Sequence, residues 1–324
     1  MPAGPTAIQA PAAVPVSFRA MASQVTVRTG TGAVDAATFR AVAALFADVE
    51  AECTRFDPAS PLMRANLASA DPDGEGYRVP PYCYAAIEAA AEAYRVTDGL
   101  FDPRILTALR RLGYDRSLPE PDRDHQPVDA PPATEPAATG WRPELDPVTG
   151  RVRLGPDPID LGGIGKGLAV RWSVQLLRRG YRTFLVEAGG DCYLAGAGPD
   201  GRGWQVGVED PAGGSDPVAV LSLRDTACAT SSIRLRRWTV AGAEVHHLID
   251  PRTGRSAAGG LAAVTVISDD PAWAEVWSKT LFLTGQHRIE ESAARHCLAA
   301  VWVNADGGLG WSAPAAELIS WRGR

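Results

Sequence analysis

Ile159-Asp-Leu-Gly-Gly-Ile-Gly-Lys166-Gly167 is the stretch on which the reading of this chain turns. It follows a strand-like segment and runs into a sequence with helical spacing. Glycine lets a backbone approach a ligand closely and adopt positive φ. Amides at a helix N-terminus favour anions, and Lys166 adds a full positive charge at the same place. Together these features suit a pyrophosphate. The spacing matches neither the P-loop nor the GxGxxG dinucleotide fingerprint. On the residues alone, a structural turn and a phosphate cradle both stand.

Working outward, helix and strand patterns interleave. Residues 18–29 read as a first strand. Residues 35–54 read as a helix, with Phe39, Val42, Leu45, Phe46 and Val49 at spacings of three and four and Asp35 as N-cap. A second, Ala-rich helix covers 81–96 and ends at Asp98-Gly99. Two short strands flank the Pro-Val-Thr-Gly turn at 147–150. A helix over 164–179 follows the glycine turn, then a buried strand over 182–187. Further strands are expected over 203–210, 217–224, 243–250, 261–268 and 299–303. Residues 270–285 read as a helix capped by Asp269 or Asp270, with Pro271 in its first turn. The pattern predicts an α+β fold with mixed sheets and packed helices, in two lobes meeting at a central cleft. Residues 1–17 read as a flexible arm, 18–324 as one domain, and 116–140, dense in Pro and Asp, as a surface excursion.

The 324 residues suffice for a full-sized core, and 45% of them are hydrophobic. The net charge is −6 without a basic run, so nucleic acid and anionic membranes are poor partners. No apolar run reaches the length of a membrane span, and the N-terminal sequence lacks secretory features, so a cytoplasmic location is expected. The 5 Cys form no CxxC pair and read as reduced, mostly buried thiols. Of the 32 basic residues only 2 are Lys, Lys166 and Lys279. Lysine offers a compact point charge where arginine offers a broad fork, which suits a tight site beside phosphate.

Several other places could carry chemistry. Glu187-Ala-Gly-Gly-Asp191 ends a buried strand, where a tight turn is the alternative reading. His246-His247-Leu-Ile-Asp-Pro-Arg-Thr-Gly254 puts imidazole, carboxylate and guanidinium close together. Adjacent strand residues face opposite ways, so one His at most faces a site. Glu275 and Lys279 share a helix face at i and i+4, either as an exposed pair or on a half-buried face beside Val276, Trp277 and Leu281. Met21-Ala-Ser23 and Thr230-Ser-Ser232 are small polar spots following strands.

Taken in order, these pieces resemble the FAD:protein FMN transferase family, the ApbE-like proteins, over roughly residues 18–310. The carrying motifs are Met21-Ala-Ser23, Arg55-Phe56-Asp57 through Ser60 and Asn66, Gly99-Leu-Phe-Asp-Pro103, and Asp160 to Gly167 with Gly165 in place of Ala. After them come Glu187 to Asp191, Trp204 to Pro211, Ala229-Thr-Ser-Ser232 and the nearly intact motif from His247. The resemblance implies a T-fold-like architecture that binds FAD and Mg²⁺. It implies transfer of FMN from FAD to a Ser or Thr hydroxyl of an acceptor flavoprotein. By resemblance, Met21, Phe56, Leu100, Phe101, Asp102, Asp160, Gly163, Lys166, Glu187, Thr230 and His247 would hold FAD. His247, Glu275 and Lys279 would be catalytic, and Gly165 and Glu275 would belong to the metal site.

The chain departs from the family at the metal helix. Where the family has Asp and, four residues on, Thr, this chain has Glu275 and Lys279. An ammonium group only donates hydrogen bonds and cannot ligate Mg²⁺, which demands octahedral oxygen geometry. One reading is that Lys279 takes the metal's place. Another is a flavin-binding or carrier protein without transfer activity, and a third is a shifted metal. An orphan FAD oxidoreductase has no hydride-acceptor signature behind it.

Overall fold

The computed structural model of the chain describes residues 14–71, 73–114 and 140–323. The arm expected over 1–17 falls outside these up to residue 13, and residues 16 and 17 already belong to the first strand. The excursion expected over 116–140 lies outside them but for Gly140.

Eight strands form the central sheet: β1 (Val16–Ala20), β2 (Ser23–Thr29), β3 (Phe184–Ala188), β4 (Asp191–Ala195), β5 (Thr226–Ser232), β6 (Leu261–Ser268), β7 (Ala299–Asn304) and β8 (Leu309–Trp311). They lie side by side in chain order. The α+β class holds, but the strands do not mix directions. Every pairing in the sheet is antiparallel, because each strand returns beside its predecessor instead of crossing over. The tightest returns are two-residue turns. Met21 and Ala22 both have positive φ, 52° and 55°, and so form a primed turn between β1 and β2. The single strand expected over 18–29 is therefore a hairpin. Its turn lacks the Asn-Gly that normally marks such a site.

The strand expected over 243–250 also divides. Ala243–His246 pairs with Arg237–Val240, and Ile249–Asp250 pairs with Arg255–Ser256. His247 and Leu248 lie where the chain leaves one hairpin for the other. Thr230-Ser-Ser232 does not follow a strand but closes β5 itself.

The α-helices of six residues or more among the described residues are α1 (Ala36–Cys53), α2 (Pro61–Ala68), α3 (Pro81–Val96), α4 (Leu106–Arg111), α5 (Gly165–Leu177), α6 (Pro271–Thr284) and α7 (Ile289–Arg295). Asp35 caps α1, its Oδ1 accepting from the amides of Ala37 and Thr38 at 2.9 Å each. Asp270, not Asp269, caps α6 by accepting from Ala272 and Trp273. One face of the sheet packs on α1, α5 and α6 through Val25, Val27, Phe184, Val186 and Ala229. Strand alternation sends Leu194, Cys192, Cys228 and Ile267 to the other face. A smaller sheet of Trp204–Val208, Ala219–Leu223 and Ile319–Arg322 covers them there. A separate cluster, Leu109, Tyr114, Trp238 and Ile249, joins α4 to the 237–246 hairpin.

Gly167 sets how closely α5 approaches α6. A Cβ there would lie 2.6 Å from the Pro271 carbonyl oxygen and 2.7 Å from Ala272 Cα. Both obstacles are backbone, which cannot swing aside. Gly167→Ala is therefore expected to force the helices apart and cost about 1–3 kcal/mol, as overpacking typically does. Urea unfolding followed by circular dichroism measures the loss.

Candidate functional site

The glycine turn, the β1–β2 turn, the end of α1 and the 100–114 segment converge with Arg236, His247 and α6 around one cavity of about 420 Å³. Met21, Phe56, Leu100, Phe101, Asp102, Asp160, Gly163, Gly165, Lys166, His247 and Lys279 all line it. The Met21 side chain reaches Gly165, whose Cβ would lie 3.3 Å from Met21 Cε. Gly163 sits between Phe101 and Lys279, and a Cβ there would meet them at 3.0 and 3.5 Å. Three expected residues lie elsewhere. Glu275 is wholly buried and does not line the cavity wall.

Glu187 and Thr230 do not line the cavity either. Glu187 pairs with Cys192 in the sheet, and Thr230 pairs with Thr265. Cross-strand partners point the same way, and these point to the face away from the helices. Glu187 accepts the Gly190 amide at 3.0 Å, and Thr230 shares a 2.9 Å hydrogen bond with Thr265. Its neighbour Ser231 turns toward α6 instead, where it bonds Ser278 at 2.7 Å. Strand parity decides this, and a motif match is blind to it.

The charged end of the cavity is built on Glu275. Both lysines of the chain meet its Oε1, Lys166 Nζ at 2.6 Å and Lys279 Nζ at 3.0 Å. Its Oε2 accepts the Gly167 amide at 2.8 Å, so this α5 amide faces a carboxylate of the protein. Lys166 also pairs with Asp191, at the start of β4. Asp191 closes the Glu187–Asp191 motif, but the sequence reading gives it no role of its own. The signal was an acid opening the otherwise apolar strand Asp-Cys-Tyr-Leu-Ala, all of it buried.

These four charges shift one another's titration. Burial disfavours the charged form of Lys166, but Asp191 and Glu275 outweigh it and push the group up to about 12. Burial likewise opposes ionisation of Glu275, and the two ammonium groups overcome it, bringing it down to about 2. Asp191 holds only one ammonium and feels Glu275 as a like charge, so burial raises it to about 6. Lys279 is lowered, first by burial and also by repulsion from Lys166, against the pull of Glu275.

Burial, with Arg236 and Lys279 nearby, holds His247 well below the usual imidazole value, so the ring is neutral at pH 7. Its Nδ1 lies 3.4 Å from the Arg236 carbonyl oxygen. A carbonyl only accepts, so Nδ1 carries the proton and Nε2 keeps its lone pair. His246 is structural: Nε2 meets the Ala257 carbonyl at 2.9 Å and Nδ1 accepts the Leu248 amide.

Two other carboxylates at the cavity are committed. Arg104 holds Asp102 through two bonds of 3.0 and 2.7 Å. Asp160 binds Arg55 Nε at 2.6 Å.

The donor set does not fit Mg²⁺. The Glu275 oxygens are occupied by two ammonium groups and an amide, and Lys279 brings donors where the metal needs an oxygen. Among the described residues no group of three or more His, Cys, Asp or Glu could hold a metal ion.

Comparison with known proteins places this site in context. The sequence profile of the ApbE family matches residues 21–302. A FAD:protein FMN transferase of Salmonella typhimurium is 28% identical over 151 residues, 46% of this chain and 43% of that protein. One from Vibrio cholerae is 26% identical over 249 residues, 75% of this chain and 72% of its own length. The chain thus spans about half the length of the first curated relatives it matches. The crystal structure of the ApbE protein of Thermotoga maritima superposes with a TM-score of 0.78 at 24% identity, covering 96% of this chain and all of that one. The flavin transferase ApbE of Vibrio cholerae gives 0.77 at 22% identity, covering 95% of this chain and 99% of the other.

Removing the shared carboxylate should expose the electrostatics. Glu275→Gln leaves two buried ammonium groups without it, and a cost of about 3–5 kcal/mol is expected from breaking a buried pair. Urea unfolding at pH 7 measures it. Millimolar MgCl₂ is expected to leave the thermal midpoint of the unaltered protein unchanged in scanning fluorimetry, and a saturable rise would overturn the donor-set argument.

Proposed function

The chain belongs to the ApbE family, and from that premise we propose that it binds FAD in the cavity and transfers FMN to a Ser or Thr hydroxyl of an acceptor protein. The observation that carries this reading is the meeting of the only two lysines beside one cavity wall, on a single buried carboxylate. Lys166 spends two of its three donors on Asp191 and Glu275, and Lys279 spends one on Glu275. Three N–H donors thus remain for a pyrophosphate, with Arg236 close by. In this reading the Lys279 ammonium supplies charge where the family uses Mg²⁺.

The step balances without a redox partner. The acceptor oxygen forms a bond to the phosphorus on the riboflavin side, and that phosphorus loses the oxygen bridging the two phosphates. AMP leaves with the electron pair of the broken bond. The hydroxyl proton passes to His247 Nε2, the unprotonated ring nitrogen. Lys166, Lys279 and Arg236 balance negative charge as it builds on the phosphoryl oxygens. Because those charges are fixed before the reaction, little reorganisation is needed.

A second reading rests on the same departure: a FAD-binding carrier that has lost transfer activity along with the metal ligands. AMP measured by chromatography after incubation with FAD and an acceptor peptide separates the two. AMP formation that persists in EDTA is expected. Intact FAD with no AMP formed over hours would favour the carrier, and strict Mg²⁺ dependence would sink the role given to Lys279. His247→Ala should cut the rate about 10²–10⁴-fold, the usual size of general acid–base catalysis, with smaller change in FAD affinity. Since the folded state lowers the pKa of His247, its base form survives as pH falls. A plot of kcat/KM against pH should therefore place the His247 limb below 6.5, the ordinary imidazole value.

A further inference from the structure

Tyr114 and Trp238 form a wall shared by two cavities. Tyr114 lines the first, and Trp238 packs on it with ring centroids 5.4 Å apart. The indole N–H of Trp238 donates to the Leu112 carbonyl at 2.6 Å, which fixes the ring. The same indole lines a second cavity of about 450 Å³, together with Pro211, Arg234, Leu235, Arg237 and Glu244. Arg236 belongs to the first cavity, whereas its neighbours Leu235 and Arg237 line the second. The Arg236 carbonyl also carries the imidazole of the first site. It accepts the His247 amide at 3.2 Å and faces Nδ1 of the ring at 3.4 Å. The second groove therefore flanks the very residue that holds His247.

The chemistry of an occupant follows from charge and exposure. Three arginines fall in four positions, Arg234-Leu-Arg-Arg237, in a chain whose net charge is −6. Such a local concentration of positive charge draws an acidic partner to this place and not to the rest of the surface. The acids already present hold the outer two arginines loosely. Arg234 Nη1 donates to Glu209 at 3.1 Å, and Arg237 lies 3.8 Å from Glu244, too far for a hydrogen bond. Both glutamates are exposed, and exposed pairs of this kind exchange readily for another carboxylate. Leu235, 78% exposed, stands between the two arginines. A free anion uses the arginines but not Leu235, whereas a polypeptide uses both. We propose that this groove docks the acceptor protein, holding the stretch that flanks its Ser or Thr through an acidic residue on Arg234 or Arg237 and an aliphatic one on Leu235. The proposal rests on the reading of the first cavity as a FAD transferase site, and adds where the second substrate lies and which sequence it prefers. A chain anchored on either side of Arg236 enters beside the ring that takes the hydroxyl proton. Arg234, Leu235 and Arg237 line none of the first cavity and so set specificity without touching the reacting atoms.

The test measures binding of fluorescein-labelled decapeptides to the full chain loaded with FAD, by fluorescence anisotropy. Each peptide carries one Thr. The first has Asp on both sides of a Leu, the second has Lys in place of each Asp, and the third has Ser in place of the Leu. The Asp peptide should bind at least about tenfold more tightly than the Lys peptide, with the gap narrowing as salt is raised. Arg234→Glu combined with Arg237→Glu should invert that preference while FAD affinity, measured by calorimetry, is unchanged. Leu235→Ser should weaken the Leu-containing Asp peptide and leave the Ser peptide as it was. Glu244→Lys removes a competing acid and should tighten the Asp peptide, a gain that no folding defect produces. Equal binding of the Asp and Lys peptides, or binding of neither, overturns the proposal. So does a charge-reversed protein that keeps the original preference or loses FAD affinity. A failed groove thus shows as absent discrimination with FAD binding and AMP formation intact. A failed reading of the first cavity shows instead as unaltered protein that binds no FAD or forms no AMP with any peptide.

Discussion

One buried carboxylate shared by two ammonium groups organises this protein. Taking four charged side chains out of water is expensive, and their mutual attraction offsets that cost only with close geometry and saturated hydrogen bonds. Glu275 meets the condition with Lys166, Lys279 and the Gly167 amide, and Asp191 completes the set. The four side chains come from α5, α6 and β4. Their alignment fixes where α5 begins against α6, and Gly167 allows the approach. The glycine turn before α5 is held in place by the same contacts. Cavity wall and electrostatic core are thus one construction.

That construction gives the cavity direction. One end offers spare ammonium donors, Arg236 and a neutral imidazole. The other offers aromatic rings and a guanidinium already neutralised by Asp160. A ligand with a charged group towards one end and a flat ring towards the other has one sensible way to lie between them. It also explains how transfer chemistry is conceivable without a metal. Mg²⁺ would have to compete with two covalently tethered cations for the same oxygens. Tethering places their charge at no cost in association entropy, whereas a free ion must be captured and partly dehydrated.

The neutral state of His247 belongs to the same electrostatic balance. Burial alone lowers its pKa, and the neighbouring positive charges of Arg236 and Lys279 lower it further. The cations that would hold phosphate therefore also keep the ring in its base form. Its tautomer is fixed separately, by a backbone carbonyl.

Helix α3 was legible from Pro81 to Val96, and α1 and α6 to within a residue or two, because capping and 3.6-residue periodicity are local properties. Strand β5 went unread, since Thr-Ala-Cys-Ala-Thr-Ser-Ser has little alternation in polarity. The motifs around Met21, Phe56, Phe101, Lys166 and His247 named most of the cavity. They could not say which way a strand side chain faces, and Glu187 and Thr230 lie outside the cavity lining. The sequence by itself determined the four longest helices, the family and the scarcity of lysine. Only the tertiary structure decided that Lys166 and Lys279, 113 positions apart, share an oxygen of Glu275. Strand parity and pairing of distant charges arise when elements pack, and no local pattern encodes them.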